Sequence, residues 1–183
     1  AKAHSFKPLY GSMSGSDDEK RYYKAFLEKY KDIAKWHETL QSDAIQYKKV
    51  KLPSGREYSF PYAQRQAWGG SSYSTQIKNY PVQGFATADI VPIACINAYK
   101  MMKDRDVKSL LINTVHDSIV VDAHPDEIET MTKLLDRATK DVIDSLHEFY
   151  NVEFNVPLDT ELKAGANWLE MQEIPIKINK VVL

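Results

Sequence analysis

The sequence predicts an α+β fold in which helices cover one face of a small antiparallel sheet. The chain has 183 residues, of which 43% are hydrophobic and 27% charged, so its composition is that of a folded protein with a substantial core. Segments with apolar residues at three- and four-residue steps alternate with short runs rich in Val, Ile and Leu. Two of these runs are separated by only three polar residues, which predicts an antiparallel hairpin.

The first half of the chain is predicted to be mainly helical. Residues 2–10 predict a short helix, and residues 11–16 form a loop of small residues. Residues 17–47 predict one long helix with Asp17 and Asp18 at its start. Its apolar residues share one helical face: Tyr23, Phe26, Leu27, Tyr30, Ile33, Ala34 and Leu40. Residues 48–52 and 57–60 then predict a hairpin around residues 53–56, and residues 61–74 a loop.

The second half is predicted to contain the central strands. Residues 83–103 predict a helix that Pro92 should kink. Residues 108–115 and 119–122 predict a hairpin, and residues 124–149 a helix that begins with a capping segment. Residues 152–162 predict a last strand with Pro157 marking an edge. A short helix over residues 167–171 and a Lys-rich tail complete the prediction.

Composition excludes several classes of protein. The one cysteine, Cys95, excludes an internal disulfide framework and a cysteine-built zinc site, and no apolar run approaches the ~20 residues of a membrane span. Residues 1–80 contain 14 Lys and Arg against 8 Asp and Glu, and residues 81–183 contain 10 against 17. A basic half suits a polyanion, although solvated helix faces give the same pattern. The chain starts at Ala1 rather than Met, which we interpret as a cut within a longer chain.

The first pattern with chemical content lies in the first predicted helix. Four-residue steps place Lys2, Phe6 and Tyr10 along one stripe, followed by Gly11. A cation, a flat apolar ring and a phenol in one row suit a substrate with a charged end and a planar end. The alternative is an amphipathic helix with a solvated lysine and core aromatics.

The second pattern lies at the start of the predicted helix 83–103. The amides of Asn79 and Gln83 can donate hydrogen bonds to the minor-groove acceptors that all base pairs share. Such contacts would test the shape of a duplex without reading its sequence. The alternative is that these residues cap the helix.

The third pattern is His116-Asp117-Ser118 between two apolar strands. A carboxylate at this position suits a hard divalent cation such as magnesium, which prefers oxygen ligands. The alternative is an ordinary turn aspartate.

In this order, the three patterns resemble those of the family A DNA polymerases, the bacterial polymerase I-like and phage enzymes. AKAHSFKPLYG resembles the latter part of motif B, NYPVQGFATAD the family's Asn-x-Pro-x-Gln-Gly segment, and NTVHDSIVVD motif C. The ending DTELKAGANWLEM resembles the family's closing strand, so the resemblance covers nearly the whole chain. It implies a helical fingers portion over residues 1–80 and, over residues 81–183, the C-terminal half of the palm, with part of an antiparallel sheet and flanking helices.

The resemblance implies roles in nucleotide binding for the first helix. Lys2 matches the lysine that contacts the incoming triphosphate and can protonate the leaving pyrophosphate. Phe6 matches the aromatic residue that stacks near the sugar and helps to exclude a 2′-hydroxyl. Tyr10 matches the tyrosine at the template-base position, and Gly11 leaves room for that base.

The resemblance also implies contacts with DNA and metal. Asn79 and Gln83 match residues that contact primer-template DNA near the terminal pair, and His116 matches a residue near the primer terminus. Asp117 matches the motif C metal ligand. Ser118 departs from the pattern because motif C often ends in Glu, so metal binding here depends on Asp117.

The implied reaction is in-line attack of a primer 3′-oxygen on the α-phosphate of a dNTP at a two-metal Mg²⁺ site. Motif A, which carries the second metal-binding aspartate, has no match in this chain. We therefore expect the N-terminal part of the polymerase to be a partner, as a separate chain or a missing segment, and the isolated chain to be inactive. No membrane partner is expected. The expected location is the cytoplasm, including that of a bacterium infected by a phage.

Two alternatives remain open at this stage. A single-subunit phage-type RNA polymerase also has a Lys…Tyr-Gly helix and a His-Asp-Ser motif, but it usually has a smaller or flexible apolar residue in the place of Phe6. A non-catalytic DNA-binding or assembly subunit of a split polymerase is favoured by Ser118 and by the missing half. Two experiments distinguish the DNA polymerase from these alternatives. One compares the incorporation of dNTP with that of rNTP, and the other asks whether an upstream fragment restores activity.

Overall fold

The computed structural model describes residues 2–10, 12, 14–67 and 69–175, with side chains from Phe6 onward within those ranges. The chain divides into two compact units, Ala1–Phe85 and Ala86–Leu183, which are called the N-terminal and C-terminal units below. The sequence-based division into fingers and palm was placed at residues 80/81. The assignment of the units to fingers and palm stays a prediction.

The N-terminal unit begins with three helices. They are α1 (Lys2–Leu9), α2 (Asp17–Lys29) and α3 (Lys31–Tyr47). Ser16 caps α2, because its side chain accepts a hydrogen bond from the Glu19 backbone N–H while the Glu19 carboxylate accepts one from the Ser16 N–H. The prediction of one helix over residues 17–47 was wrong, since the backbone leaves the helical region at Tyr30 (φ −107°, ψ 68°).

A hairpin and a fourth helix complete the N-terminal unit. Strands β1 (Lys49–Lys51) and β2 (Glu57–Ser59) pair antiparallel, as predicted, with Val50 opposite Tyr58. Helix α4 (Ser74–Gly84) packs against α3 and β1. The core contains Leu40, Ala44, Val50, Phe60, Ala63 and Ile77.

Helix α4 is a correction to the sequence prediction, which placed the start of this helix at Gln83. Pro81 lies within α4, and a proline inside a helix removes a backbone hydrogen bond, so the local sequence gave a poor helix signal. Burial of Pro81 and Ile77, one helical turn apart, offsets that loss. A π-helical turn, Phe85–Ile90, follows in the chain.

Pro92 lies in the first turn of α5 (Val91–Asp104), directly after the π-helical turn. The backbone is helical on both sides of it, and the hydrogen-bonding pattern changes from π to α at this point. A proline lacks the N–H that would continue the helical hydrogen bonds, so the irregular turn lies where the sequence predicted a disturbed helix.

The C-terminal unit packs helices against one hairpin. Strands β3 (Leu110–Val115) and β4 (Ser118–Asp122) pair antiparallel, with a register shift between Leu111 and Asn113. A 3₁₀ turn (Pro125–Glu127) leads into α6 (Ile128–Lys140) and α7 (Val142–Tyr150). The core contains Ala98, Met102, Met131, Leu134 and Ala138, with Leu111 and Val121 of the hairpin packed against it.

The last part of the C-terminal unit departs from prediction. Residues 152–162 form no strand, and residues 167–171 form a turn in which the Asn167 side chain accepts hydrogen bonds from the backbone N–H groups of Leu169 and Glu170. The strands here are the two-residue β5 (Lys163–Ala164) and β6 (Gln172–Glu173). The Lys-rich end lies outside the described residues.

The predicted fold class is confirmed, since helices combine with small antiparallel sheets in an α+β arrangement. Among the helices of the described ranges, none combines the length and the apolar character that crossing a bilayer requires.

Candidate active-site residues

The end of α1 presents two aromatic rings. Phe6 and Tyr10 lie with ring centroids 6.1 Å apart and an interplanar angle of 27°, so the two rings are nearly parallel. The Tyr10 backbone N–H donates to the Phe6 carbonyl at 3.0 Å, which keeps the four-residue step helical although Pro8 intervenes. Phe6 is 43% exposed, so part of this residue faces solvent. The stripe predicted for this helix is thus present at Phe6 and Tyr10.

The structure brings Tyr10 together with a residue of the second pattern. The Gln83 side-chain amide on α4 donates a hydrogen bond to the Tyr10 hydroxyl at 2.8 Å, across 73 residues of sequence. Asn79 lies one helical turn earlier on α4 and is half-buried. Because α4 begins at Ser74, neither Asn79 nor Gln83 caps it, and the capping alternative is wrong.

The structure explains why a glycine stands at position 84, directly after Gln83. The Tyr58 ring of β2 packs directly over its Cα: a Cβ built on Gly84 would lie 2.8 Å from Tyr58 Cζ and 2.9 Å from Cε2. Only glycine avoids this collision. The Gln-Gly step therefore lets the hairpin approach α4 at the residue next to Gln83.

A charged network ties α1 to α2. The Lys7 ammonium donates to Glu19 at 3.1 Å, and the Tyr23 hydroxyl donates to the same carboxylate oxygen at 3.2 Å. The hydrogen bond from the Ser16 backbone N–H, followed by that from Lys7, lowers the pKa of Glu19 to about 2. The helix that carries Phe6 and Tyr10 is thereby attached to the start of the next helix.

Two basic residues of the N-terminal unit are buried, and sequence reasoning missed both. His37 on α3 is 4% exposed and Lys78 on α4 is 8% exposed. Burial lowers the pKa of Lys78, and burial together with the Lys78 charge lowers the pKa of His37. The available signal was the apolar stripe of α3, on which position 37 follows Ile33 by four residues and precedes Leu40 by three.

In the C-terminal unit, His116 and Asp117 form the two-residue turn of the β3–β4 hairpin, with Val115 opposite Ser118. Both turn residues are exposed. His116 has a φ of +55°, a conformation that costs a non-glycine residue about 1 kcal/mol or more and that recurs at functional sites. Positive φ at the first turn position matches the twist of the paired strands.

The Asp117 carboxylate lies at the exposed tip of this hairpin. Among the residues that the structure describes, none forms a hydrogen bond or ion pair with its side chain. Ser118, in contrast, donates its hydroxyl to the Val115 carbonyl at 2.7 Å and so closes the turn. An ordinary turn aspartate would be expected to accept backbone hydrogen bonds, and Asp117 accepts none within the described ranges.

A single exposed carboxylate can supply one or two oxygen ligands to a hard cation, so Asp117 fits part of a magnesium site. Within the described ranges, no group of three His, Cys, Asp or Glu side chains is close enough to hold a metal ion. Further ligands would have to come from other parts of the protein. The Lys2 side chain and Gly11 lie outside the described residues, so the structure does not place these two predicted site residues.

Comparison with known proteins gives one consistent result. The model of the family described as DNA polymerase family A matches residues 11–170. DNA polymerase I of Lactococcus lactis subsp. lactis is 29% identical over 180 residues, which are 93% of this chain and 19% of that protein. The DNA polymerase of Bacillus phage SP01 is 24% identical over 174 residues, 91% of this chain and 18% of that protein. The chain thus spans about a fifth of the length of these curated relatives.

The fold also matches a solved polymerase. The POL domain of Pol1 from M. smegmatis, in complex with DNA primer-template and dNTP, aligns with a TM-score of 0.66 and 20% identity, and covers 77% of this chain and 26% of that one. A match of the family model over most of the chain decides the family. The chain belongs to DNA polymerase family A.

Proposed function

We propose that this chain supplies the C-terminal part of a DNA-directed DNA polymerase that adds deoxynucleotides to a primer 3′ end. The observation that carries the proposal is the hydrogen bond between Tyr10 and Gln83. The resemblance implies that Tyr10 takes the template-base position and that Gln83 contacts the primer-template. These two residues contact each other in the folded chain. Nothing in the sequence spacing requires this contact.

In the proposed mechanism the N-terminal unit tests the nascent base pair. The exposed Phe6 ring stacks near the sugar of the incoming dNTP, and Tyr10 takes the position of the template base. Gln83 fixes the Tyr10 hydroxyl, and with Asn79 it contacts the minor groove, whose acceptors are shared by all base pairs. Selection therefore depends on pair geometry, with Lys2 and Gly11 as further predicted contacts.

In the C-terminal unit, Asp117 would hold Mg²⁺, and His116 would lie near the primer terminus. When bound, the metal ions stabilise the attacking and leaving oxygens of phosphoryl transfer. The exposed carboxylate of Asp117, which has no partner among the described residues, and the positive φ of His116 support this assignment. The remaining ligands are proposed to come from the N-terminal part of the polymerase, as a second chain or an adjoining segment.

The bacterial and phage relatives support a cytoplasmic location, in a bacterium or in an infected host. They also weigh against the alternative of a phage-type RNA polymerase, since the relatives are DNA polymerases.

The test is primer extension with the purified chain, the upstream polymerase part, and the two together. We expect extension by the combination with dNTP, little with rNTP, and none by the chain alone. Extension by the 183-residue chain alone would contradict the proposed division of the active site. Efficient use of rNTP would favour an RNA polymerase, and failure of a correctly folded combination would favour a non-catalytic subunit.

A further inference from the structure

The carbonyl groups at the end of α1 have an unusual set of partners. The last carbonyls of a helix lack helical donors and need other hydrogen bonds. Phe6 O accepts from the Tyr10 N–H at 3.0 Å, and Lys7 O accepts from the Ser12 N–H at 2.8 Å. The carbonyl of Leu9, the last residue of the helix, receives its hydrogen bond from a side chain on another helix, His37 of α3.

The geometry of this hydrogen bond defines the state of the histidine. His37 Nε2 lies 2.9 Å from Leu9 O, and the side chain is almost completely buried. A carbonyl oxygen only accepts, so Nε2 must carry the hydrogen. Neutral His37 is therefore the Nε2–H tautomer.

Lys78 of α4 favours the neutral form of His37. It is nearly as buried as His37, and among the described residues no carboxylate or other acceptor pairs with it. Burial of the ring, followed by the Lys78 charge, lowers the pKa of His37, and the hydrogen bond to the Leu9 carbonyl opposes them with a smaller effect. No acidic side chain within the described part of the chain is found to act on His37 in the opposite direction.

We propose that His37 is a positioning residue, which holds the end of α1 through the Leu9 carbonyl and so places the Tyr10 side chain for its contact with Gln83. Leu9 immediately precedes Tyr10, and Tyr10 is the residue at which α1 meets α4 through the hydrogen bond from Gln83. Loss of the His37 hydrogen bond would leave the Leu9 carbonyl without this donor and free the backbone just before Tyr10 to rotate.

The test places 3-fluorotyrosine at position 10 of the 183-residue chain and records its ¹⁹F NMR signal. His37→Leu removes the donor, and His37→Gln keeps an amide donor of similar reach. We expect the signal to shift or split in His37→Leu and to return toward its original position in His37→Gln. Thr39→Ala is the control, because this exposed α3 hydroxyl donates only to Lys35 O of its own helix.

A Tyr10 signal that is identical in folded His37→Leu and in the unsubstituted chain would overturn the proposal. Should His37→Leu fail to fold, ¹⁵N NMR of the histidine rings in the unsubstituted chain decides instead. A hydrogen on Nε2 of His37 supports the proposal, and a hydrogen on Nδ1 with Nε2 unprotonated overturns it.

The kinetic consequence depends on the proposed polymerase function. In the complete polymerase, His37→Leu should raise the KM for dNTP by roughly threefold to tenfold and change kcat less, with recovery in His37→Gln. An unsubstituted polymerase without activity would refute the proposed function and leave the NMR result standing. An unmoved Tyr10 signal would refute the role of His37 whatever the activity.

Discussion

At the scale of single residues, positions 84 and 78 of α4 each affect the stability of the fold. The Tyr58 ring leaves no space for a Cβ at Gly84. Lys78 is buried without a carboxylate partner among the described residues, which is costly for a charged group. Both residues flank Asn79 and Gln83 on α4, so packing and charge at this helix bear directly on the proposed DNA contact.

Gly84→Ala should lower the free energy of unfolding by about 1–3 kcal/mol, because the added methyl group collides with the Tyr58 ring. Urea unfolding measures the change, with the exposed Gln76→Ala of the same helix as control, expected within about 0.5 kcal/mol. In a Tyr58→Leu background the cost of Gly84→Ala should shrink. An equal cost in both backgrounds would contradict the steric explanation.

Lys78→Met should raise the free energy of unfolding at neutral pH by about 1–4 kcal/mol, since an apolar side chain of similar length removes a buried charge. The matched control is Lys35→Met, at an exposed position of α3, which should change stability by less than about 0.5 kcal/mol. A destabilised Lys78→Met variant would mean that the ammonium has a stabilising partner.

At the scale of elements, the attachment of α1 to α2 through Glu19 predicts a pH dependence. The folded-state pKa of Glu19 is about 2, below its ordinary value of 4.5, so this carboxylate stabilises the fold above pH 4.5 and loses its effect as the pH falls toward 2. Glu127 has a pKa of about 2 as well, chiefly because it accepts a hydrogen bond from the Lys108 backbone N–H, and it acts over the same pH range.

The free energy of unfolding should therefore fall less between pH 4.5 and 2 in Glu19→Gln than in the unsubstituted chain. The decrease that is due to Glu127 should remain. Thermal unfolding over a pH series measures this, with Glu28→Gln as control because the ion pair of Glu28 within the described residues is an exposed one, with Lys24 at 3.9 Å. A pH profile unchanged by Glu19→Gln would show that the network does not couple to folding.

Elements with strong local signals were predictable from sequence, and those set by packing were not. The hairpins β1–β2 and β3–β4 follow from short apolar runs around polar turns. The break at Tyr30 has no glycine or proline to signal it, and α4 was obscured by Pro81. The site residues were named from motifs, but the contact between Tyr10 and Gln83, 73 residues apart, depends on how α1 packs near α4.

At the scale of the whole chain, charge separates with structure. No charged residue lies between positions 81 and 85, so the N-terminal unit has six more basic than acidic residues and the C-terminal unit seven more acidic than basic. This accords with a polyanion at the first unit and a cation at the second.

Affinity for primer-template DNA should therefore fall steeply as the salt concentration rises from about 50 to 200 mM. The reason is that the basic residues displace counterions from the DNA phosphates, and this release drives binding. Fluorescence anisotropy at several salt concentrations measures the slope. An affinity that does not depend on salt would contradict contact between this unit and the phosphate backbone of DNA.

The central claim is that Asp117 is a metal ligand of a polymerase that an upstream part completes. The most direct test measures primer extension by the complete enzyme after one carboxylate has been neutralised. Asp117→Asn should lower the rate by about a hundredfold or more. Asp122→Asn, at an exposed carboxylate on the same hairpin, should leave it within about twofold. Full activity of Asp117→Asn would contradict the account.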